Sequence, residues 1–175
     1  MFKILGCTIA VPHSGQNLVY TGWGVAIGAF GYGYHFGAVK VLLALAAIPR
    51  ERRAPLIDSA IKAGTDFIFS IDPATADYPH PYSLKPSEKW WKFGFPGFYV
   101  TDLLQLVEAM ARLSCGQDPR LANAIHIIQD KRDSTGRWKL EYDYQGKIKV
   151  DFGEKNKPSK WVTLRTLRAL KMAGC

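Results

Sequence analysis

The chain has 175 residues, of which 47% are hydrophobic and 22% charged, an ordinary composition for a globular protein with one substantial core. Its three cysteines are odd in number, widely spaced and without a CxxC pair, which argues against a disulfide framework or a cysteine-rich zinc site and predicts a reducing, cytoplasmic setting. The formal net charge is +8, and residues 131–175 hold 12 Lys and Arg against 5 Asp and Glu.

The first 35 residues carry no pattern that assigns them an element. An apolar run over residues 2–11 ends at Pro12 and lacks the cleavage pattern of a signal peptide. Residues 22–49 contain a single charged side chain, Lys40, but the repeated glycines at the start of this stretch are unsuited to a membrane-spanning helix. The sequence therefore predicts no transmembrane segment.

Five segments show helical periodicity, and two kinds of helix alternate along the chain. Three segments are strongly apolar and are predicted to be inner helices: 36–48, 99–113 and 160–172. Two are amphipathic and are predicted to be outer helices: 55–70 and 118–132. Pro55 and Pro119 fall near the first turn of the outer helices, where a missing N–H costs nothing.

The three apolar helices resemble one another. Residues 39–45, 104–110 and 164–170 align without gaps, so that the same apolar pattern recurs at a similar interval. Such recurrence of a helix pair is typical of a repeat architecture, in which neighbouring units bury the faces that one unit leaves open.

Two further segments are not helical in pattern. Apolar residues alternate with charged ones from Trp138 to Tyr142 and again from Ile148 to Phe152, which predicts a β-hairpin turning near Gly146. Residues 72–96 are rich in proline and aromatic side chains and predict a long irregular connection. Connections of this length are usually functional or are ordered by packing against another part of the protein.

The end of the second outer helix resembles a known repeat. In Leu121 to Trp138, Gly136 and Trp138 stand where the QW repeat of squalene-hopene cyclases, oxidosqualene cyclases and protein prenyltransferases has its Gly and Trp. Arg132 replaces the repeat's Gln, and an arginine can also donate to helix-end carbonyls and stack on an indole. Residues 91–96 and 157–165 are similar to uncharacterised bacterial proteins that carry prenyltransferase and squalene-oxidase repeats.

The resemblance implies an all-α fold, a partial α/α toroid of about half a ring with one small β-hairpin, over a single domain of residues 1–175. Residues 36–174 carry this similarity. It also implies an apolar, isoprenoid-like ligand, which the protein binds or transforms. The alternative, favoured by the short ring, is a non-catalytic protein-interaction or self-assembling helical repeat module.

The motifs that drive known reactions in this superfamily are missing from the sequence. There is no Asp-x-Asp-Asp acid for alkene protonation and no Asp-Asp-x-x-Asp cluster for magnesium. No spacing brings Cys115 near Asp102 and His126 as zinc ligands. The sequence therefore predicts neither a metal nor a cofactor, and leaves open whether the protein is an enzyme.

Ligands of toroids usually meet the ends of inner helices, where free N–H groups favour anions. Two candidate catalytic residues lie there, His35 and Asp102. The pattern favours the alternatives, a buried core histidine for His35 and stabilisation of the helix dipole for Asp102. Candidate ligand-binding residues are Tyr34, Trp91, Tyr99, Thr101, Lys160 and Trp161. Lys160 and Trp161 could bind an anionic, apolar ligand through charge and stacking. In the alternative, Lys160 lies in solvent and Trp161 lies in the core.

Several partners are compatible with this pattern. The predicted ones are an apolar or anionic small molecule and a second copy of the chain, and the basic region leaves peripheral contact with a membrane open. Nucleic acid is disfavoured because the sequence contains no recognised binding motif.

Overall fold

The computed structural model describes residues 2–4, 7–10, 20–21, 34–78, 86–98, 100–144, 146 and 148–175. The chain forms two compact units, residues 1–87 and 88–175. Helices make up most of the described secondary structure, in agreement with the predicted helical class. The single domain of residues 1–175 stays a prediction.

The first unit begins with a small antiparallel sheet that the sequence pattern did not reveal. It contains β1 (Phe2–Ile4), β2 (Cys7–Ala10) and β3 (Tyr20–Thr21) in the order β1-β2-β3. Ile9 pairs with Phe2 on one side and with Thr21 on the other. Strands of two to four residues are too short to give a readable alternation.

Two helices follow in the first unit and confirm the predicted pair. They are α1 (Tyr34–Ala46) and α2 (Pro55–Ile68), separated by a 3₁₀ turn at Arg50–Arg52. Pro55 occupies the first turn of α2, as its position predicts. The helices pack through Leu45 and Ala60, with partly buried apolar side chains around them: Val41, Ile48, Ile57 and Ile61.

The second unit contains three helices around α3. These are α3 (Leu103–Arg112), α4 (Ala122–Asp130) and α5 (Lys160–Ala173). Short 3₁₀ turns precede the first two, at Glu88–Trp91 and Pro119–Leu121. Helix α3 contacts both α4 and α5 and is buried along nearly its whole length, in agreement with its strongly apolar sequence.

Helix α5, predicted as a strongly apolar inner helix, is buried on one face. Only one face is covered by protein, formed by Val162, Thr166, Ala169, Leu170 and Ala173. The opposite face leaves Leu164, Leu167 and Met172 exposed. Apolar composition alone predicted a core helix, but the described residues cover one side of it.

The predicted hairpin between residues 138 and 152 is not confirmed. The described backbone of 138–140 instead bonds to residues 156–159: Ser159 donates to Trp138, Leu140 to Lys157, and Asn156 to Leu140. Glu141 donates its backbone N–H to Phe93. The alternation reflects burial of Trp138 and Leu140 in the core of this unit, whereas Val150 in the second half is exposed.

Gly94 allows the segment before α3 to approach residue 142 closely. The two residues form an isolated bridge, and a Cβ on Gly94 would lie 2.5 Å from the carbonyl oxygen of Tyr142. We therefore expect Gly94→Ala to lower the free energy of unfolding by about 1–3 kcal/mol, the usual cost of overpacking. Urea denaturation measures this change.

Gly97 provides the matched control for that substitution. A Cβ there would meet Gln105 at 3.4 Å, an ordinary contact, so Gly97→Ala should change stability by less than about 0.5 kcal/mol. Equal losses in the two variants would contradict the close-approach explanation.

In the part of the chain that the structure describes, none of the helices combines the length and the apolar content needed to cross a bilayer.

Candidate functional site

A groove of about 750 Å³ lies in the second unit at the N-terminal end of α5. Its apolar lining consists of Val150, Phe152, Pro158, Trp161, Leu164 and Leu167. Two cationic side chains, Arg137 and Lys160, and one carboxylate, Asp151, also line it. The groove thus combines an apolar wall with an excess of positive charge.

Two aromatic rings of the groove wall, Trp161 and Phe152, pack on a third ring, Phe95, outside the groove lining. Trp161 stacks on Phe95 with ring centroids 5.2 Å apart and planes 9° from parallel. Phe152 meets the edges of both, at 5.0 Å from Phe95 and 6.0 Å from Trp161. The wall is therefore fixed by mutual packing and offers rigid apolar surface at little entropic cost on binding.

Lys160 places positive charge beside that wall. Its Nζ lies 5.1 Å from the centroid of the Trp161 ring. Both residues belong to the first turn of α5, where Ser159 caps the helix by accepting a hydrogen bond from the backbone N–H of Val162. A helix N-terminus carries partial positive charge, which adds to that of the ammonium group.

The turn after α4, whose sequence resembles the QW repeat, contributes Arg137 to the groove. The indole N–H of Trp138 donates to the carbonyl of Ile128 at 2.6 Å, and the guanidinium of Arg132 lies over the indole, 5.9 Å from its centroid. Gly136 has φ +81°, a conformation that favours glycine. Arg132 thus stacks on the tryptophan, as the sequence led us to expect of an arginine in the Gln position.

The same turn holds Arg137 at the groove. The Asp133 carboxylate accepts hydrogen bonds from Thr135 and from the backbone N–H of Arg137, and these bonds hold the pKa of Asp133 below its usual value. Trp138 then donates its backbone N–H to the Thr163 hydroxyl at 3.0 Å. The turn is thereby tied to the first turns of α5.

Asp102, a predicted catalytic residue, makes structural contacts. One carboxylate oxygen accepts the backbone N–H of Gln105 at 2.7 Å and caps α3. The carboxylate also pairs with Arg165 at 3.2 Å, and Arg165 donates to the carbonyl of Gly94 at 2.8 Å. These contacts favour the alternative of helix stabilisation, and a catalytic role for Asp102 stays a prediction.

His35, the other predicted catalytic residue, lies in the first unit and is 1% exposed. Its ring stacks on Tyr78 at 4.7 Å and meets the edge of Phe36 at 4.8 Å. The Tyr78 hydroxyl donates to the carbonyl of Ile68, and burial raises the pKa of Tyr78 above its usual value. This environment agrees with the alternative of a core histidine, and catalysis by His35 likewise stays a prediction.

The remaining candidates are dispersed. Thr101 is fully buried next to Asp102, and Trp91 is half-buried in the 3₁₀ turn; neither lines the groove. Tyr99 and the side chain of Tyr34 lie outside the described residues. Of the predicted ligand-binding residues, the structure brings Lys160 and Trp161 together in the groove.

Sequence reasoning missed most of the groove lining. Val150 and Phe152 were assigned to a hairpin, and Leu164 and Leu167 to a buried helix face. The basic excess of residues 131–175 is the signal that could have pointed to Arg137.

The chemistry available in the groove is that of binding through apolar contact and positive charge. Across the described ranges, no three His, Cys, Asp or Glu side chains lie close enough together to hold a metal ion. Comparison of the chain with protein-family models, with curated proteins and with solved structures gives no match.

Proposed function

We propose that the protein binds an apolar, isoprenoid-like ligand with an anionic head group in the groove at the start of α5. The observation that carries the proposal is that Trp161 and Lys160 line one groove together. Its volume of about 750 Å³ falls within the usual range for small-molecule sites.

The groove lining provides separate contacts for the apolar chain of the ligand and for its head group. The apolar chain of the ligand lies against Trp161, Leu164 and Leu167, and the head group meets Lys160 and Arg137. Asp151 accepts the backbone N–H of Gly153 at 2.8 Å, so its carboxylate already serves a local turn. The lining offers apolar contact and positive charge, which supports binding; a transformation of the ligand stays a prediction.

For the architecture we propose a partial α/α toroid related to terpenoid cyclases and protein prenyltransferases. Two findings support it. The buried helices α1 and α3 are each followed by an amphipathic helix, and the indole of Trp138 ties the end of α4 to the following turn.

Isothermal titration with farnesyl diphosphate tests the binding proposal. We expect Trp161→Ala to weaken binding by about tenfold, since a well-packed aromatic contact is worth about 1 kcal/mol or more. Lys160→Gln should weaken the binding of farnesyl diphosphate, but not that of farnesol, because farnesol lacks the charged head group.

Two control variants match these changes. Phe98→Ala removes an exposed aromatic side chain outside the groove lining, and Lys171→Gln removes an exposed charge from the same helix. Both should bind farnesyl diphosphate as the unchanged chain does. Equal weakening in all four variants, or no binding by any, would contradict the proposal.

A non-catalytic, self-assembling module is the second candidate. It predicts an exposed apolar edge at a terminal helix pair, and Leu164, Leu167 and Met172 form such an edge on α5. Sedimentation velocity separates the candidates: the module requires a dimer that Met172→Ser dissociates, whereas ligand binding requires no dimer.

A further inference from the structure

The exposed apolar side chains of the second unit gather on one helix. Among the described residues, the large hydrophobic side chains that remain exposed are Phe98, Val150, Leu164, Leu167 and Met172. Three belong to α5, with 51%, 48% and 41% of Leu164, Leu167 and Met172 accessible. Val150 lines the same groove as the two leucines. A contiguous apolar surface of this kind marks an interaction site.

Positive charge is interleaved with these apolar side chains. Lys160, Arg168 and Lys171 are exposed, and with Leu164 and Leu167 they recur every three or four residues. Such spacing places them on one face of the helix. Helix α5 contains no Asp or Glu, and its fourth cation, Arg165, is paired with Asp102 on another face. We call the surface formed by Lys160, Leu164, Leu167, Arg168, Lys171 and Met172 the outer face of α5.

We infer that the outer face of α5 docks on the surface of an anionic lipid membrane. Leucine and methionine side chains there would enter the headgroup boundary, while the long stems of the lysines and the arginine let their charges reach lipid phosphates. A basic amphipathic helix is typical of this mode of contact. Each exposed cation adds attraction to an anionic leaflet.

The composition of the outer face of α5 argues against two other partners, a second copy of the chain and a nucleic acid. A symmetric dimer through this face would bring the cations of one copy near those of the other, because the same basic face is used twice and α5 contains no acidic side chain to neutralise them. A nucleic acid would pair with the cations but would leave the two leucines and Met172 without an apolar partner. An anionic bilayer provides both kinds of contact.

The inference goes beyond ligand binding and does not require it. The groove shares Leu164, Leu167 and Lys160 with the outer face, whereas Arg168, Lys171 and Met172 are not among its lining residues. Variants of these last three therefore change the outer face without changing the groove lining, and Trp161→Ala changes the groove lining without changing the outer face.

Co-sedimentation of the full chain with vesicles measures the proposed contact. We expect binding to mixed phosphatidylglycerol and phosphatidylcholine vesicles, and little binding to phosphatidylcholine alone. The double variant Arg168→Gln, Lys171→Gln should lower the partition constant about twenty-five-fold, on the basis of about fivefold per basic residue. Met172→Ser should also lower it, and added salt should weaken binding.

The double variant Arg50→Gln, Arg52→Gln is the matched control. Both arginines are exposed in the first unit, so either double variant lowers the net charge from +8 to +6. The control should retain binding, and all variants should keep the melting temperature of the unchanged chain because the replaced side chains are exposed.

Four results would overturn the inference. They are equal losses in the two double variants, equal binding to neutral vesicles, a dimer that the α5 variants dissociate, and tighter α5-dependent binding to an oligonucleotide than to anionic vesicles.

Discussion

Replacing Asp102 by alanine is expected to lower the free energy of unfolding by about 3–5 kcal/mol. The carboxylate is 5% exposed and its partner Arg165 17% exposed, so the substitution leaves a guanidinium largely buried without its counter-charge. It also removes the cap from Gln105 at the start of α3. Urea denaturation at neutral pH measures the change.

Two control substitutions separate the contribution of the buried ion pair to stability from that of the helix cap. Asp66→Ala breaks the Lys62–Asp66 pair, which is shorter at 2.7 Å but exposed, and should cost less than about 1 kcal/mol. Asp102→Asn keeps an oxygen that can cap the helix and should cost about 1 kcal/mol less than Asp102→Ala. If Asp102 serves catalysis and contributes little to folding, Asp102→Ala will leave stability nearly unchanged.

The second large effect is expected at Trp138. The side chain is 1% exposed, and its indole N–H satisfies the carbonyl of Ile128 near the end of α4. Trp138→Ala should cost about 3–5 kcal/mol through the cavity it leaves. Trp138→Phe keeps most of the apolar volume but leaves a buried acceptor unsatisfied, which costs about 1–3 kcal/mol.

Trp161→Ala is the control for the Trp138 variants. Trp161 is half-buried and its indole fills one wall of an open groove, so its removal should destabilise the protein less than Trp138→Ala does. A similar loss of stability in Trp138→Phe and Trp138→Ala would identify the hydrogen bond as the main contribution. No loss in either would contradict the role assigned to the QW-like turn.

The helices could be predicted because their apolar spacing extends over three turns or more. Periodicity placed α2 and α5 within two residues of their observed starts and ends. It placed the start of α3 at residue 99, whereas the helix begins at Leu103 because Asp102 caps it. The carboxylate three residues before Gln105 is a capping signal that could have located this boundary.

Which face of a helix is covered could not be predicted. Leu164, Leu167 and Leu170 have the same side chain and fit one apolar repeat, yet the first two are exposed and Leu170 is buried. Their exposure depends on neighbours that are distant in sequence. The pairing of 138–140 with 156–159 is likewise set by tertiary contacts, which override a local alternation.

The candidate site could be predicted in part. Lys160 and Trp161 were identified because a charge and an indole begin a helix, and both lie in the groove. Val150 and Phe152 belong to a segment whose alternation suggested a strand. The groove forms only once that segment lies against α5.

Native mass spectrometry of the chain titrated with farnesyl diphosphate tests the proposed function most directly, because it reports bound ligand and subunit number in one spectrum. The proposal predicts a monomer that takes up one ligand molecule, and a Trp161→Ala variant in which this adduct is lost while Phe98→Ala retains it. An empty dimer, or adducts of equal abundance in both variants, would contradict ligand binding in the groove at the start of α5.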